Sequence, residues 1–567
     1  MSQISGAHAI VKCLREENVN TIFGYPGGAV IDLYDELMES PDLTHVLVRH
    51  EQAAVHAADG YARVTGEVGV ALLTSGPGAT NGVTGIATAY MDSIPIVILT
   101  GQVPTPLIGN DAFQEVDIVG ITRPCTKHNY LVSSKEELVD VLREAFHVAR
   151  TGRPGPVLVD LPKDIINATL DFEVRKPIHM PSYQPHYEPH MGQIDKACRL
   201  ITEARKPVLY VGGGVILSNG ASELTELATK LNIPVTMTLM GLGAFPGHHE
   251  LSMGMLGMHG TYTANMAVAE SDLLISVGAR FDDRVTGKLE TFATKAKIIH
   301  IDIDPTSISK NVEVDVPIVA DCKKALTAMN TWFNNQQGIS VKEEKAKHQE
   351  WFDQICDWQE LHPLGYQEDG EQIKPQYVVE MLDKLTNGEA IVATEVGQHQ
   401  MWAAQFYRFS EPRRFLTSGG LGTMGYGFPA AIGAKLARPD KVCIDIAGDA
   451  SIQMNIQELA TARQYNTPVK IAILNNQFLG MVRQWQELFY DKRYASTVMD
   501  IAPDFVELAR AYGAVGLRAT KKSEVEDVIK EALAVDNTVL MDFKISREEG
   551  VFPMVPAGKS TTEMLLV

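Results

Sequence analysis

The chain predicts an α/β protein of three doubly wound parallel-sheet domains, and one phrase repeated three times along it carries that expectation. The phrase is an apolar strand, a Gly-rich turn, a helix, then a short x-Pro step into another apolar strand. Its copies run from Val70 to Gly78 and on to Ser93-Ile94-Pro95, from Val208 to Gly214 and on to Asn232-Ile233-Pro234, and from Val442 to Gly448 and on to Asn466-Thr467-Pro468. Continuous Val/Ile/Leu runs mark strands covered on both faces, as parallel strands between helices are. The first and third copies also share an Ala-Thr-Ala inside their helices (87 to 89, 460 to 462) and are the closest pair.

In chain order, Gly6 to Glu17 reads as a helix, with no basic segment, apolar stretch and small-residue cleavage site before it, so no secretory or organelle address is expected and the protein is placed in the cytoplasm. A first domain over 1–175 closes at a connector from Val174 to Gly192, which carries Pro177, Pro181, Pro185 and Pro189 without a hydrophobic period. A central domain follows over 190–335. A charged stretch from about Asn334 to Lys374, with a solvent-facing helix expected over Val341 to Glu360, leads to a third domain over 370–550.

Composition excludes several classes. A net charge of -20 without a basic stripe argues against nucleic-acid binding. The longest apolar runs, Ile94 to Leu99 and Val208 to Leu217, fall short of a membrane span. Six cysteines lie far apart with no Cys-x-x-Cys, which suggests neither zinc nor disulfides and fits a reducing compartment.

Two places carry chemistry. Ala447-Gly448-Asp449-Ala450 ends one apolar strand and Asn475-Asn476 ends the next, Val469 to Leu474. One carboxylate and one amide on neighbouring strand ends suit a hard cation such as Mg²⁺ shared with phosphates. A helix from about Ile452 to Gln464 would add its N-terminal N–H groups. Far upstream, Glu51 follows the strand Val46 to Val48 and starts an Ala-rich helix, where a carboxylate would be enclosed and would need a partner.

Taken together, Val48-Arg49-His50-Glu51-Gln52-Ala53-Ala54 and the Asp449 clamp resemble the thiamine diphosphate (ThDP) enzymes. The resemblance implies that Glu51 hydrogen-bonds N1′ of the aminopyrimidine, that Asp449, Asn476 and the Phe478 carbonyl hold Mg²⁺, and that Tyr25, Pro26, Gly27, Pro77 and Asn81 wall the pyrimidine pocket. On the diphosphate side it implies Val396, Gly397, Gln398 and His399, then Gly422 and Met424, which props the cofactor into its bent form. Gly448, Ala450, Ser451, Gly480 and Met481 complete that side. Ala450 stands where the general motif has Gly.

The middle domain narrows the resemblance. Gly212-Gly213-Gly214, Thr238-Leu239, Met258-His259, Gly278 to Arg284 and His300-Ile301-Asp302-Ile303-Asp304-Pro305 are similar to a flavin adenine dinucleotide (FAD) site. A triple Gly suits a pyrophosphate and an acidic residue after a strand suits ribose hydroxyls. Arg153, Gly212, Gly213, Thr238, Leu239, Met258, His259, Arg280, Asp282, Arg284, Asp302, Ile303 and Asp321 are the implied FAD residues. The whole set resembles the acetohydroxyacid synthase catalytic subunits over nearly the full chain.

That family's activity is decarboxylation of pyruvate and transfer of the hydroxyethyl unit to a second 2-ketoacid, giving 2-acetolactate from pyruvate or 2-aceto-2-hydroxybutyrate from 2-ketobutyrate, in branched-chain amino-acid biosynthesis. Phe113 and Gln114 are then expected to flank the reacting centre with Lys163, Arg284 to hold the acceptor carboxylate as a planar fork, and Trp485 to favour the ethyl group of 2-ketobutyrate. An Arg in Asp282-Asp283-Arg284 also suits a surface ion pair. FAD has no net redox task in this reaction. The resemblance further implies a homodimer with active sites at the interface, and a separate small regulatory subunit. Pyruvate oxidase shares the three cofactors, and Phe113-Gln114, Arg284 and Trp485 count against it. A nicotinamide dehydrogenase would need a Gly-x-Gly-x-x-Gly turn with an acidic residue about twenty positions on, which none of the copies supplies cleanly.

Overall fold

A computed structural model describes residues 2–172, 177, 178, 180–335 and 340–566. Val174, the expected start of the first connector, and residue 175, the expected end of the first domain, lie outside them.

Three six-stranded sheets, each wholly parallel, stand where the repeated phrase puts them. Edge to edge, the first runs Thr44–Leu47, Thr21–Gly24, Gly69–Leu73, Ile96–Gln102, Val157–Pro162, His128–Leu131. The third runs Phe415–Leu416, Ile391–Thr394, Cys443–Gly448, Lys470–Asn475, Val539–Lys544, Val515–Ala519. Numbered within each domain, both follow the order 2-1-3-4-6-5, so the likeness read between the first and third phrases extends to topology. The central sheet is different. Its order is Ser252–Met255, Val235–Met237, Pro207–Val211, Leu273–Val277, Lys297–Asp302, Val316–Val319, the 3-2-1-4-5-6 arrangement of dinucleotide-binding folds.

In every sheet the first strand of the phrase and its neighbour diverge at a topological switch point, which opens a crevice at their carboxyl ends. The Gly-rich turns of the sequence lie on those ends. A two-stranded antiparallel pair, Ser2–Ser5 with Thr169–Phe172, closes the first domain.

Two expectations need correction. The region after Asp449 is not one helix from Ile452 to Gln464: it is two 3-10 turns, Ile452–Met454 and Ile456–Glu458, then a short helix, Leu459–Gln464. Asn455 separates the turns with φ -132 and commits its side-chain amide to the Gly425 carbonyl at 2.6 Å. The charged region 341–360 is likewise two helices, Val341–Lys347 and Gln349–Leu361. It is not simply solvent-facing, because Trp351 and Ile355 are buried and the Trp351 indole donates to the Pro207 carbonyl at 3.2 Å.

First and third domains meet through the helices Glu51–Thr65 and Gly427–Ala437. A Cβ at Gly60 would stand 2.2 Å from the Ala430 carbonyl oxygen, and one at Gly433 1.9 Å from that of Ala57. The two backbones touch, and the small residues on both helices permit it.

Candidate active site

His50 caps the Glu51–Thr65 helix, its Nδ1 accepting the Gln52 N–H at 3.1 Å. Glu51 therefore sits in the first turn, where the helix dipole favours a carboxylate. Its Oε2 accepts from Asn81 Nδ2 at 2.9 Å. Glu51 is half-buried rather than enclosed: the Pro77–Asn81 turn lies along the carboxylate, with Asn81 on Oε2 and Gly78 facing Oε1, and among the described residues Oε1 has no hydrogen-bond partner.

Around it, Gly27 packs on Thr74, and the Tyr25 N–H is bound by the Leu72 carbonyl at 3.2 Å, which fixes the Tyr25-Pro26-Gly27 turn on the strand end. Lys163 Nζ donates to the Gly28 carbonyl at 3.0 Å. Gly76, at φ +58, touches the Gln114 backbone, itself at φ +59. Phe113 next to it is 89% exposed. The first-domain residues named for the pyrimidine pocket, with Gln114 and Lys163, thus lie together.

A second cluster lies on the third domain. Asp449 ends Cys443–Gly448 and is buried, and its Oδ2 has no hydrogen-bond partner. Burial pushes its carboxyl up to about 6, with the Asn476 backbone N–H beside it acting the other way. An orphaned, buried carboxylate oxygen next to a strand-end amide fits a cation, and Asp449 does not cap the following turn, whose N-cap is Ser451. Asn476 Oδ1 accepts the Phe478 N–H at 3.1 Å, which ties two of the three expected metal residues into one turn and leaves that oxygen a second lone pair.

His399 is buried with Nε2 unpartnered, and burial pushes its imidazole down to about 3, so it is neutral. Its ring lies where a Cβ at Gly397 or Gly448 would stand, 2.7 Å away in both cases. Gln398 accepts from Asn476 Nδ2 at 3.2 Å and donates to Gln484 at 2.9 Å, and Gly480 packs against it. Ala450 is not among the positive-φ residues, so the missing glycine costs nothing in backbone strain. Val396 is the nearest side chain to Gly422, and Met481 lines the hollow described below. This donor set, glycines with an uncommitted neutral imidazole and an orphaned carboxylate, fits a metal-bound diphosphate.

Three buried features that sequence reasoning missed hold the Met424 loop. Glu395 Oε2 accepts from the Gly425 N–H at 2.6 Å and from Ser451 Oγ at 2.7 Å, while Oε1 accepts the Phe428 N–H at 3.1 Å. From the first domain, Arg63 pairs with Asp59 at 2.6 Å and Asp92 at 2.9 Å, and Tyr426 donates to Asp59 at 2.6 Å. Thr88 and Thr423 share a hydrogen bond at 2.7 Å. The available signal was charge inside otherwise apolar helices, Asp59 and Arg63 at i, i+4 and Asp92 at a helix end. Among the described residues no hydrogen bond joins the Glu51 cluster directly to the Asp449 cluster.

At the central switch point the Gly212 N–H donates to the Val277 carbonyl at 2.9 Å and the Gly214 N–H to that of Gly278 at 3.1 Å, and Gly213 faces Met240. Thr238 and Leu239 form the adjacent turn, with the Thr238 N–H on the Val211 carbonyl at 2.8 Å. Asp302 ends the strand Lys297–Asp302 and Ile303 follows it; Asp302 is buried, which pushes its carboxyl up to about 6. The Gly cradle, the strand order and this acid fit a dinucleotide. The cationic residues are committed elsewhere in this structure: Arg153 pairs with Asp304 at 3.0 Å, and Arg280 donates to the Met91 carbonyl at 2.9 Å. Asp282 caps the turn Asp283–Thr286, and Asp321 accepts the Lys324 N–H at 3.0 Å.

Arg284 and Met258 meet, the Met258 N–H on the Arg284 carbonyl at 2.7 Å and the guanidinium 3.9 Å from Sδ. They line a small cavity of about 100 Å³ with Val555 and Thr561. The guanidinium is largely exposed and 3.8 Å from Asp283, so the surface pair is present but loose. His259, buried and neutral, leaves Nδ1 unpartnered next to it. Trp485 lines a larger apolar hollow of about 610 Å³ with Met481, Val482 and Tyr490.

Models of the thiamine pyrophosphate enzymes match the chain three times in order: the N-terminal TPP binding domain over 4–121, the central domain over 194–329 and the C-terminal TPP binding domain over 395–543. The chain is 51% identical over 573 residues to the acetolactate synthase large subunit of Buchnera aphidicola subsp. Schizaphis graminum, covering 100% of this chain and 99% of the relative. It is 51% identical to the acetolactate synthase isozyme 3 large subunit of Escherichia coli, with the same coverage. To the large subunit of Corynebacterium glutamicum it is 52% identical, over 99% of this chain and 90% of the relative. With three matching domains and half its residues identical along the entire length, the chain belongs to the acetolactate synthase large subunits of the thiamine pyrophosphate enzyme family.

Proposed function

We propose that this chain decarboxylates pyruvate and joins the remaining two-carbon unit to a second 2-ketoacid, as the catalytic subunit of an acetolactate synthase in branched-chain amino-acid biosynthesis. The observation that carries this reading is the Glu51 carboxylate, fixed by Asn81 in the first turn of a helix with its other oxygen accepting no hydrogen bond among the described residues. ThDP, when bound, supplies the carbanion chemistry and the electron sink for decarboxylation. Glu51 would hold the aminopyrimidine nitrogen and share its proton. Asp449, Asn476 and the Phe478 carbonyl would hold Mg²⁺, and His399 would face the diphosphate through Nε2. Met424, on the loop fixed by Glu395 and Asp92, would set the cofactor's bend.

We assign the pyrimidine side to domain 1–175, FAD to 190–335 and the diphosphate side to 370–550. FAD would serve as a structural element of the Arg284 cavity, since no hydride moves. Arg284 would take the acceptor carboxylate bidentately, and Trp485 would select the acceptor's alkyl group. A homodimer in which each active site draws one cluster from each copy is part of this reading. Relatives named as large subunits support a separate small regulatory subunit. Six free cysteines suit the cytoplasm, and no described helix is long and apolar enough to cross a membrane.

Product analysis tests the reading. With pyruvate, 2-ketobutyrate, ThDP, Mg²⁺ and FAD supplied together, 2-acetolactate and 2-aceto-2-hydroxybutyrate are expected. Stoichiometric anaerobic bleaching of the flavin with neither product would overturn it in favour of an oxidase.

A further inference from the structure

We propose that Glu458 is a positioning residue for Glu51: a buried carboxyl group of the third domain that fixes the backbone on which the catalytic carboxylate is mounted. This rests on the reading of Glu51 given above.

Glu458 is 1% exposed. Both its oxygens lie on the Arg49 N–H, at 3.0 and 3.1 Å, and Oε2 also accepts from Thr461 Oγ1 at 2.6 Å. Arg49 stands past the end of the strand Thr44–Leu47 and before the helix cap at His50, so neither element supplies its N–H with a partner. The buried carboxyl group of Glu458, from another domain, does so instead. Glu458 is not alone. Gln464 Oε1 accepts from Arg49 Nη2 at 2.8 Å, and the Tyr465 hydroxyl accepts the Leu47 N–H at 2.7 Å. Glu458 and Tyr465 flank the short helix Leu459–Gln464 with Thr461 between them, and this side of the segment is applied to residues 45–49.

The consequence is geometric. Residue 49 is gripped by Glu458, residue 50 caps the helix and residue 51 carries the acid, so the position of Glu51 depends on a carboxyl group that never reaches the cofactor. An error of about 1 Å in a reacting group costs on the order of a hundredfold in rate. Burying a carboxyl group against a single backbone junction is otherwise unfavourable, and an apolar side chain would fill the space more cheaply. The same segment follows the Asp449 strand, so within one chain the metal side is tied to the backbone that carries Glu51.

The test is exchange of the ThDP C2 proton for deuterium in the holoenzyme, read by NMR after acid quench, in wild type, Glu458→Gln, Glu51→Gln and the double variant. Glu458→Gln is expected to slow exchange about tenfold, with ThDP affinity within about threefold of wild type, and to add nothing in the Glu51→Gln background. Equal slowing in both backgrounds, or none in either, overturns the proposal. If Glu51→Gln alone leaves exchange unchanged, the Glu51 reading itself fails and takes this proposal with it. In the cofactor-free protein, amide exchange over residues 49–54 should rise in Glu458→Gln while the rest of that helix keeps its protection; unchanged protection there also overturns it. Should Glu458→Gln not fold, Thr461→Val removes the 2.6 Å bond to Oε2 and leaves the carboxylate in place. Its expected effect is a smaller slowing, again absent in the Glu51→Gln background, and slowing in both backgrounds would count against the proposal.

Discussion

Asp92 Oδ1 accepts the backbone N–H of Gly420 at 2.7 Å, joining a helix end of the first domain to the third domain's Met424 loop across 328 residues of chain. The other oxygen takes the Gly419 N–H at 3.1 Å and Arg63 at 2.9 Å. Hydrogen bonds to a buried charge contribute about 1.5–3 kcal/mol each. Asp92→Asn keeps the shape and loses the charge, so Arg63 is left with Asp59 as its ion pair. The variant should melt at a lower temperature and bind ThDP about tenfold more weakly. A lowered melting temperature with unchanged ThDP affinity would mean that the network serves stability alone.

The Asp449 site should show the opposite pattern. Its buried, unpartnered Oδ2 is a cost to the cofactor-free fold and a benefit only with a cation bound. Asp449→Ala is therefore expected to leave the cofactor-free protein at least as stable as wild type while abolishing Mg²⁺-dependent retention of ThDP through gel filtration. Retention that survives the change would show the clamp to be misassigned.

A pH dependence follows from Glu395 and Asp445, which share the space beneath Gly427. Burial pushes Glu395 from 4.5 up to about 7, and burial with repulsion from Glu395 pushes Asp445 well above its ordinary 3.8. Between the unfolded and folded values the native state binds more protons than the unfolded chain, so stability is fullest at the acid end of that window and falls as pH rises through it. Melting of the cofactor-free protein from about pH 5 to 8 should show this fall, and Asp445→Asn should flatten it. An identical slope in the variant would remove the pair from the titration.

Trp485 sits at the wall of the apolar hollow with Met481 and Val482. Replacing it by Leu removes a flat surface against which an ethyl group packs, and a difference of one methylene is worth about 1–3 kcal/mol in such a pocket. Trp485→Leu should therefore reduce the preference for 2-ketobutyrate over pyruvate by about tenfold. A product ratio equal to that of wild type would contradict the assigned role.

The parts of this molecule that the sequence made legible are local in kind. Continuous Val/Ile/Leu runs closed by Gly turns and x-Pro steps gave three parallel sheets, and Gly448-Asp449 with Asn476 gave a buried carboxylate beside a strand-end amide. What stayed hidden depends on which surfaces meet. Nothing near Asp92 or Glu458 in the chain shows that one will hold Gly420 and the other Arg49, because those partners lie hundreds of residues away. The helix expected from Ile452 was misread for the same reason: Asn455 commits its side chain to Gly425, a tertiary bond that overrides local helix propensity. Glu51 was expected to be enclosed, yet within one chain it is half-buried against Asn81.

Turnover of Glu51→Gln, measured beside its ThDP affinity, probes the central claim most directly. Glutamine preserves the shape and the Asn81 contact but cannot share a proton with the aminopyrimidine, so kcat should fall by about 10²–10⁴-fold while the dissociation constant for ThDP stays near that of wild type. A variant that turns over pyruvate at a near-normal rate would contradict the account, because the carboxylate at the start of that helix would then have no part in the chemistry.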